Sequence, residues 1–250
     1  MAQPQKQTNL NTRTTSLLLS FVAGYVDSCT FLALFGLFVA QVTGSFVIAG
    51  AQIVTENWQG AVLTTFAIPI FLVAGAATTL LVESVGDQGS SKLVWGLALE
   101  SALLTGFLVV GVIGSPFGNL NMPLAVAAGL FGLLAMGVQS ALWQLLMRGV
   151  PSTNVMTTNT TLIAILATKT VLSWHAQRRA EDNQATAQLA DTANHLAAVL
   201  LVAGGFLIGT IAGAFAYVVV DLWCLLVPIA AILGLLIWSL ESPLPITHES

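Results

Sequence analysis

The sequence predicts an all-α integral membrane protein with about six transmembrane helices and two shorter helices. Three observations support this prediction. The 250-residue chain is 56% hydrophobic and 7% charged, whereas an ordinary soluble domain has about 25% charged residues. It contains six long apolar stretches. Its motifs also recur in the same order in the two halves, which indicates an internal repeat.

Composition argues against several classes of function. A soluble fold with so few charged residues would lack the polar groups that cover its surface. The net charge of -4 argues against nucleic-acid binding, which needs a basic surface. The sequence has no metal-ligand spacing, phosphate-binding loop or nucleophile elbow, so we expect no cofactor and no enzymatic activity. We interpret Cys29 and Cys224 as two small buried hydrophobic residues.

Six apolar stretches match or approach the length of a membrane-spanning helix, which needs about 20 mostly apolar residues. They are residues 16–35, 61–82, 93–113, 123–146, 196–220 and 222–237. The first stretch follows a polar N-terminal segment with Lys6 and Arg13. It is too long for the apolar region of a signal peptide, so we interpret it as a transmembrane helix.

Two further apolar segments, 42–54 and 155–167, are short, and each has a cluster of small polar residues near its start. At about 1.5 Å per residue, a helix of either length falls short of a hydrocarbon core about 30 Å thick. Each segment therefore either crosses the bilayer in a strained way or enters it and returns to the same side.

The distribution of Lys and Arg favours one of these topologies, because cytoplasmic loops are enriched in both residues. If both short segments cross, the chain has eight spans, and Lys92 and Arg148 face outward. If both return to the same side, there are six spans, and all 7 basic residues lie on one side. We prefer the second arrangement, with both termini in the cytoplasm.

The whole chain, 1–250, is predicted to form a single membrane domain with one polar insertion. Residues 168–195 contain no Gly or Pro, and Arg178 has Glu181 and Asp182 three and four residues later. This is the spacing of charged pairs on an exposed helix. We interpret the segment as a cytoplasmic helical linker, and a regulatory or partner-binding role is the alternative.

The predicted repeat joins residues 16–113 to residues 123–240. The short segments align at an offset of 114 residues, with Thr43 opposite Thr157 and Ser45 opposite Asn159. With three crossings and one returning segment in each half, the second half is inverted relative to the first, as in many secondary transporters. The other matches are Gly24 and Asp27 with Gly137 and Ser140, Phe71, Ala74 and Thr78 with Phe206, Gly209 and Gly213, and Trp95 and Gly106 with Trp223 and Gly234.

Two carboxylates lie within predicted spans. Asp27 is near the middle of the first span, where a charge costs roughly 2.5–3.5 kcal/mol on insertion scales. It is interpreted either as a coupling or gating group or as an anchor for the turn at Thr43, Gly44 and Ser45. Glu100 lies nearer the start of its span, and it is either a second coupling group or a side chain that reaches an interface.

The polar starts of the short helices predict a binding site. A helix N-terminus presents free N–H groups and a partial positive charge, and irregular backbone in a bilayer must be buried in protein or line a wet cavity. Two such ends meeting near the midplane would form a small polar cavity. The alternative is that these residues cap helices and join them. The candidate binding residues are Asp27, Gln41, Thr43, Gly44, Ser45, Gln139, Ser140, Asn154, Thr157, Thr158, Asn159 and Thr160.

Gly205, Gly209 and Gly213 form a tandem G-x-x-x-G pattern in the fifth span. Such a pattern lets a second helix approach closely. The partner is either another helix of the same chain or the same helix of a second copy, which would make a homodimer.

At residues 21–27 and 38–45 the sequence resembles the YoaK-like family of bacterial membrane proteins, whose function is unknown. Residues 135–140, the segment 155–157 and Glu100 extend the resemblance over most of the chain. Ser45 and Ser140 stand where Asn is expected, and Thr158 stands where Gly is common. The resemblance implies a bacterial inner-membrane protein with about six membrane helices, and it implies no substrate.

The leading functional hypothesis is a secondary transporter or facilitator for a small polar solute, with an anion as one candidate. Asp27 would be the coupling or gating carboxylate, and the starts of the two short helices would bind the solute. The alternative is a membrane sensor or assembly protein that transports nothing and binds a partner through residues 168–195. A channel is a weaker third hypothesis.

Overall fold

The computed structural model describes residues 4–55, 58–85, 89–119, 122–147, 151–152, 156–180 and 183–241. These ranges hold eight α-helices, one 3-10 helix and no β-strand. The 3-10 helix, Asp221–Leu225, lies between the last two α-helices. The α-helices are α1 (Pro4–Ala33), α2 (Val42–Val54), α3 (Trp58–Ser84), α4 (Gly89–Gly114), α5 (Pro123–Leu146), α6 (Met156–Ala180), α7 (Asn183–Val220) and α8 (Leu226–Glu241).

Five helical stretches of the described residues are long and apolar enough to cross a bilayer. They are Thr12–Ala33, Leu63–Ser84, Ser91–Gly114, Pro123–Leu146 and Thr186–Glu241. The prediction of an all-α chain is thereby confirmed, and the stretches indicate a multi-pass membrane protein. The predicted fifth and sixth spans both lie within the last stretch, which has 56 residues.

A sharp turn at Asp221 divides this last stretch into α7 and α8. The backbone of Asp221 has a φ of 54°, a left-handed conformation that aspartate tolerates better than most residues. Its Oδ1 accepts the N–H of Leu222 at 2.7 Å, and its Oδ2 accepts the hydroxyl of Ser115 at 2.7 Å. The ends of α4 and α7 therefore lie beside each other.

The predicted short segment 155–167 differs from the structure, because it is only the first half of α6. This helix continues to Ala180, since residues 168–180 contain no Gly or Pro to end it. The predicted linker 168–195 is accordingly shared between α6 and α7, which pack against each other. Gln177 donates from Nε2 to the Thr186 hydroxyl at 3.1 Å. The apolar stretch ends at residue 167, but α6 itself continues to Ala180. Hydropathy alone therefore did not predict where this helix ends.

The core of the bundle surrounds α1, the most buried of the five stretches, and α5, the next. α1 packs along α7 and also contacts α5 and α8, while α5 packs against α3 and α4. The short helix α2 packs on α3. The largest side chains in this core include Tyr25, Phe107, Leu133 and Met136, which are all fully buried.

The directions of the helices follow from pairs of neighbouring residues. α1 and α7 run the same way, because Leu17 lies beside Gly205 and Tyr25 beside Gly213. α1 and α5 run in opposite directions. The start of α1 meets the end of α5, where Gln139 bonds to Leu19, and the segment just after α1 meets the start of α5, where Leu34 lies beside Gly129.

Candidate functional site

Asp27 anchors the turn that leads into α2. Its Oδ1 accepts the backbone N–H groups of Val39 and Ala40, both at 2.8 Å. Its Oδ2 accepts the N–H of Gln41 at 3.4 Å. The side chain is 4% exposed, so these bonds supply much of what water would otherwise give to a buried carboxylate. The anchored residues lie just before the predicted turn at Thr43, Gly44 and Ser45.

A reversal of the chain after α1 brings these N–H groups back to Asp27. Phe35 and Gly36 have positive φ angles of 53° and 92°, and the N–H of Gly36 donates to the Phe31 carbonyl at 2.9 Å. Asp27 lies about 9 Å below the end of α1 at Ala33, given the helical rise. The start of α2 is therefore held at the depth of Asp27.

Ser45 and Gly44 fix the first turn of α2 against the same loop. The buried hydroxyl of Ser45 donates to the Phe38 carbonyl at 3.2 Å. Gly44 lies against the Phe38 ring, where an added Cβ would sit 2.8 Å from a ring carbon. Thr43 is exposed, and Gln41 is half-buried. A side chain at position 44 would therefore push the ring away from the start of α2.

A cavity of about 280 Å³ lies beside Asp27, between α1, the start of α2 and α7. Its polar lining comes from Asp27, Ser28, Gln41 and Thr210. None of its described lining residues is basic. We call it the Asp27 groove, and its remaining lining residues are apolar: Phe31, Leu32, Phe38, Phe206 and Ala214.

The second group of predicted site residues lies at the start of α6. Asn159 is buried and donates from Nδ2 to the Ser152 carbonyl at 2.7 Å. Thr157, Thr158 and Thr160 are exposed, and the Thr160 hydroxyl bonds to its own helix at the Met156 carbonyl. Asn154 lies outside the described residues.

A third group lies between α4, α5 and α1. Glu100 is fully buried, and Gln139 is 1% exposed. Gln139 donates from Nε2 to the Leu19 carbonyl at 2.8 Å. Glu100 and Gln139 both line a cavity of about 10 Å³, whereas their neighbour Ser140 is half-buried on α5.

The structure does not bring the starts of α2 and α6 together. In the described part of the chain, α2 packs on α3, α6 packs on α7, and no contact joins α2 to α6. Asp27 holds the start of α2 against α1. The segment before α6 is held at α5, where the Trp143 indole donates to the Pro151 carbonyl at 3.1 Å. The predicted residues thus form three clusters, and the Asp27 groove is larger than the cavity beside Glu100 and Gln139.

The glycine stripe of α7 is covered by α1 of the same chain. A Cβ added at Gly205, Gly209 or Gly213 would collide with the backbone carbonyls of Leu17, Phe21 and Tyr25 respectively. Small residues at this spacing let the two backbones pack closely.

Several contacts were not predicted because they join distant parts of the chain. The sulfur atoms of Cys29 and Cys224 lie 3.2 Å apart, and the Tyr25 hydroxyl donates to the Cys224 carbonyl at 3.1 Å. Ser28, Phe206 and Thr210 line the Asp27 groove, yet none of them stands out from its apolar neighbours in the sequence.

Comparison with known proteins gives a family and no function. The sequence profile of a family described as "Protein of unknown function (DUF1275)" matches residues 15–238. This agrees with the predicted resemblance to an uncharacterised family. No curated protein and no solved structure matches the chain.

Proposed function

This chain belongs to the DUF1275 family, and from that premise we propose that it is a secondary transporter or facilitator for a small polar solute. The observation that carries the proposal is the Asp27 groove, an open cavity of about 280 Å³ beside a buried carboxylate of an apolar helical bundle. A buried carboxylate in such a bundle is costly and usually functional. Here it lies where an unwound segment meets the start of a short helix, as in the binding sites of many transporters.

The directions of the helices support six crossings. Because α1 and α5 run in opposite directions, an even number of the three helices between them must cross the bilayer. α3 and α4 are long enough to cross, and α2, with 13 residues, is not. The hydrogen bond between Ser115 and Asp221 supports the same count, since eight crossings would put these residues on opposite sides.

Reciprocal contacts between the halves support an inverted repeat. The offsets of the repeat pair Gly24 with Gly137 and Phe71 with Phe206. In the structure Gly24 lies against the backbone of Phe206, and a Cβ added at Gly137 would lie 3.2 Å from the Phe71 carbonyl. The first helix of each proposed half thus packs against the third helix of the other half. This is the pattern that a two-fold axis within the membrane plane would produce.

The chemistry of the Asp27 groove favours a solute that donates hydrogen bonds. Asp27 Oδ2 accepts one long bond of 3.4 Å, which leaves it free to accept another from a ligand. The carboxylate repels anions, and no basic residue among the lining offsets that repulsion. We therefore propose a neutral or cationic solute with an N–H or O–H group and a small apolar part, in preference to an anion.

We propose the bacterial inner membrane as the location, with both termini in the cytoplasm. The basic residues support this orientation. With six crossings, Arg13, Lys92, Lys169 and Arg178 all lie on one side, and the connection that contains Ser115 lies on the other. Cytoplasmic segments carry most Lys and Arg.

A sensor or assembly function is the second candidate, and the α6–α7 hairpin favours it. Its distal part is polar and exposes Trp174, His175 and Arg178, with the Arg178 guanidinium 3.8 Å above the Trp174 ring. This surface would bind a cytoplasmic partner. If this second function is correct, removing residues of the hairpin would abolish binding of the partner. The Asp27 groove would then have no role in transport.

Transport is tested with the purified full-length chain in liposomes. The panel contains amines, amino acids, sugars, carboxylates and phosphate. We expect saturable uptake of one hydrogen-bond-donating class, its loss in Asp27→Asn, and its retention in Asp191→Asn, a control at an exposed carboxylate of α7. Failure to move any solute, with Asp27→Asn unchanged in stability and growth, would contradict the proposal. Flux that does not saturate would indicate a channel.

A further inference from the structure

Glu100 lies outside the Asp27 groove, in a separate buried cluster. It lies on α4, is fully buried, and faces Gln139 on α5 across a small cavity. Three oxygen atoms of this pair have no hydrogen-bond partner among the described residues: Glu100 Oε1, Glu100 Oε2 and Gln139 Oε1. Buried polar atoms are almost always paired, so this cluster requires an explanation.

Gln139 is oriented by a bond to the first helix. Its Nε2 donates to the Leu19 carbonyl at 2.8 Å. A carbonyl oxygen only accepts hydrogen bonds, so the amide nitrogen must point at Leu19. Gln139 Oε1 is an acceptor without a partner among the described residues, and Nε2 keeps one further N–H.

The cluster has more acceptor oxygens than donors to satisfy them. The Trp143 indole N–H is bonded to the Pro151 carbonyl, and one N–H of Gln139 is bonded to the Leu19 carbonyl. An ionised Glu100 would bring two more acceptor oxygens to Gln139 Oε1, and the described lining residues include no cation. Burying an unpaired charge is far more costly than burying a neutral polar group. A protonated carboxyl supplies the missing O–H, and the cavity of about 10 Å³ has room for about one bridging water.

Other ionisable groups in the described part of the chain lie outside this cavity. α5 carries none, and Lys92 lies on α4 beyond Leu93. The lining consists otherwise of Leu19, Leu93, Leu97, Leu142, Trp143 and Met147. Among residues whose side chains the structure describes, the ionisable ones on the elements packed against α4 and on α1 are Glu83, Asp221, Cys224, Glu241, Arg13, Tyr25, Asp27 and Cys29, and none of them lines it.

We propose that Glu100 and Gln139 form a proton-binding site, in which the Glu100 carboxyl donates its proton to Gln139 Oε1 directly or through one water. Loss of the proton would leave a carboxylate facing a carbonyl oxygen. Water would then have to enter between α4 and α5, so the protonation state controls how closely these two helices pack. The cavity extends to Trp143 and Met147 at the end of α5, and the proton would enter from this end.

This site deepens the proposed function, since it would let a proton gradient drive the solute, but the inference itself does not rest on transport. The site also shares α1 with the Asp27 groove. Leu19 and Asp27 are about 12 Å apart along the helix. Movement of α5 relative to α1 at Leu19 would thus be transmitted to the helix that carries Asp27.

The test is infrared spectroscopy of the full-length protein in lipid nanodiscs at neutral pH, with no solute, after labelling with 13C-glutamate. Exposed carboxyls are ionised at this pH, and the other described glutamates, Glu83 and Glu241, are exposed. We expect the carbonyl band of a protonated carboxyl, shifted by the label. It should be absent in Glu100→Gln and retained in Asp27→Asn.

Glu100→Gln should also keep the melting temperature of the parent protein, because its amide has the same shape and donates to Gln139 Oε1. If this variant does not fold, the labelled parent spectrum still decides the question. Absence of a protonated glutamate band in the parent protein overturns the proposal. A glutamate carboxylate band that changes when Na⁺ is replaced by choline also overturns it, because the cavity would then hold a metal cation.

Discussion

Ser45 and Asn159 make the same hydrogen bond at the starts of α2 and α6. Each side chain is buried and donates to the backbone carbonyl of the residue seven positions earlier, which is Phe38 for Ser45 and Ser152 for Asn159. In the sequence alignment of the two halves, these residues stand opposite each other. Both fasten the irregular segment that precedes the helix, so the two positions share a structural task.

The two bonds should differ in strength. The Asn159 bond is 2.7 Å and the Ser45 bond 3.2 Å, and Asn has the longer side chain. We expect Asn159→Ala to lower the free energy of unfolding by about 1–3 kcal/mol, since the bond between a buried side chain and the Ser152 carbonyl is lost. Ser45→Ala should cost less. Chemical denaturation in detergent micelles measures both.

Thr160→Ala is the control for this pair, because Thr160 is exposed and bonds only within its own helix. It should change stability little. Equal effects of Asn159→Ala and Thr160→Ala would mean that the Asn159 bond does not fasten the loop. Ser45→Asn, which restores the residue expected from the family resemblance, should raise stability if the longer side chain still reaches Phe38.

The Asp27 anchor predicts a linked loss of stability and solute binding. In Asp27→Asn one side-chain oxygen is replaced by an NH₂ group, which cannot accept an N–H bond. The remaining neutral oxygen can still accept the N–H groups of Val39 and Ala40, but more weakly than a carboxylate does. We expect a loss of about 1–3 kcal/mol, measured by thermal unfolding, together with greater proteolysis of the loop before α2. Asp191→Asn, at an exposed carboxylate, should leave both measurements unchanged. A fully stable Asp27→Asn protein would show that the carboxylate does not hold the loop.

The contact between α1 and α7 can be tested at two glycines of one helix. A Cβ at Gly209 would collide with the Phe21 backbone, whereas a Cβ at Gly204 would have no atom within 4 Å. We expect Gly209→Ala to destabilise the protein by about 1–3 kcal/mol through overpacking. Gly204→Ala should be neutral or stabilising by up to about 1 kcal/mol, because alanine favours a helix. If the two variants behave alike, α1 does not cover the glycine stripe.

Much of the fold followed from hydropathy, but the site did not. The apolar stretches predicted α2, with its bounds at Val42 and Val54, because an apolar stretch and a helix end together there. α6 extends beyond its apolar part, and hydropathy did not predict this extension because a polar, solvent-exposed helix is not an apolar stretch. The division of α7 from α8 depends on the backbone of Asp221, whose unusual φ a single sequence does not reveal.

The site residues were recognised by their cost in a bilayer, and their partners were not. Asp27 and Glu100 stand out because charge is rare within spans. Their neighbours could not be predicted in the same way. Asp27 meets the N–H groups of Val39 and Ala40 because the chain reverses after α1, and Glu100 lies near Gln139 because α4 packs on α5. The prediction that the starts of the two short helices meet also depended on how the helices pack, and it was wrong. The structure places these starts beside different helices.

The central claim is that six crossings form two inverted halves, and single-cysteine labelling tests it most directly. Cys29 and Cys224 are buried, so they give little background with an impermeant maleimide. Cysteines are introduced separately at Asn119, between α4 and α5, and at Asp191, in the α6–α7 hairpin; both residues are exposed. We predict that intact cells label Asn119→Cys and that only opened cells label Asp191→Cys. With eight crossings, both cysteines would be labelled from the same side of the membrane. That result would contradict the inverted repeat and the transport proposal built on it.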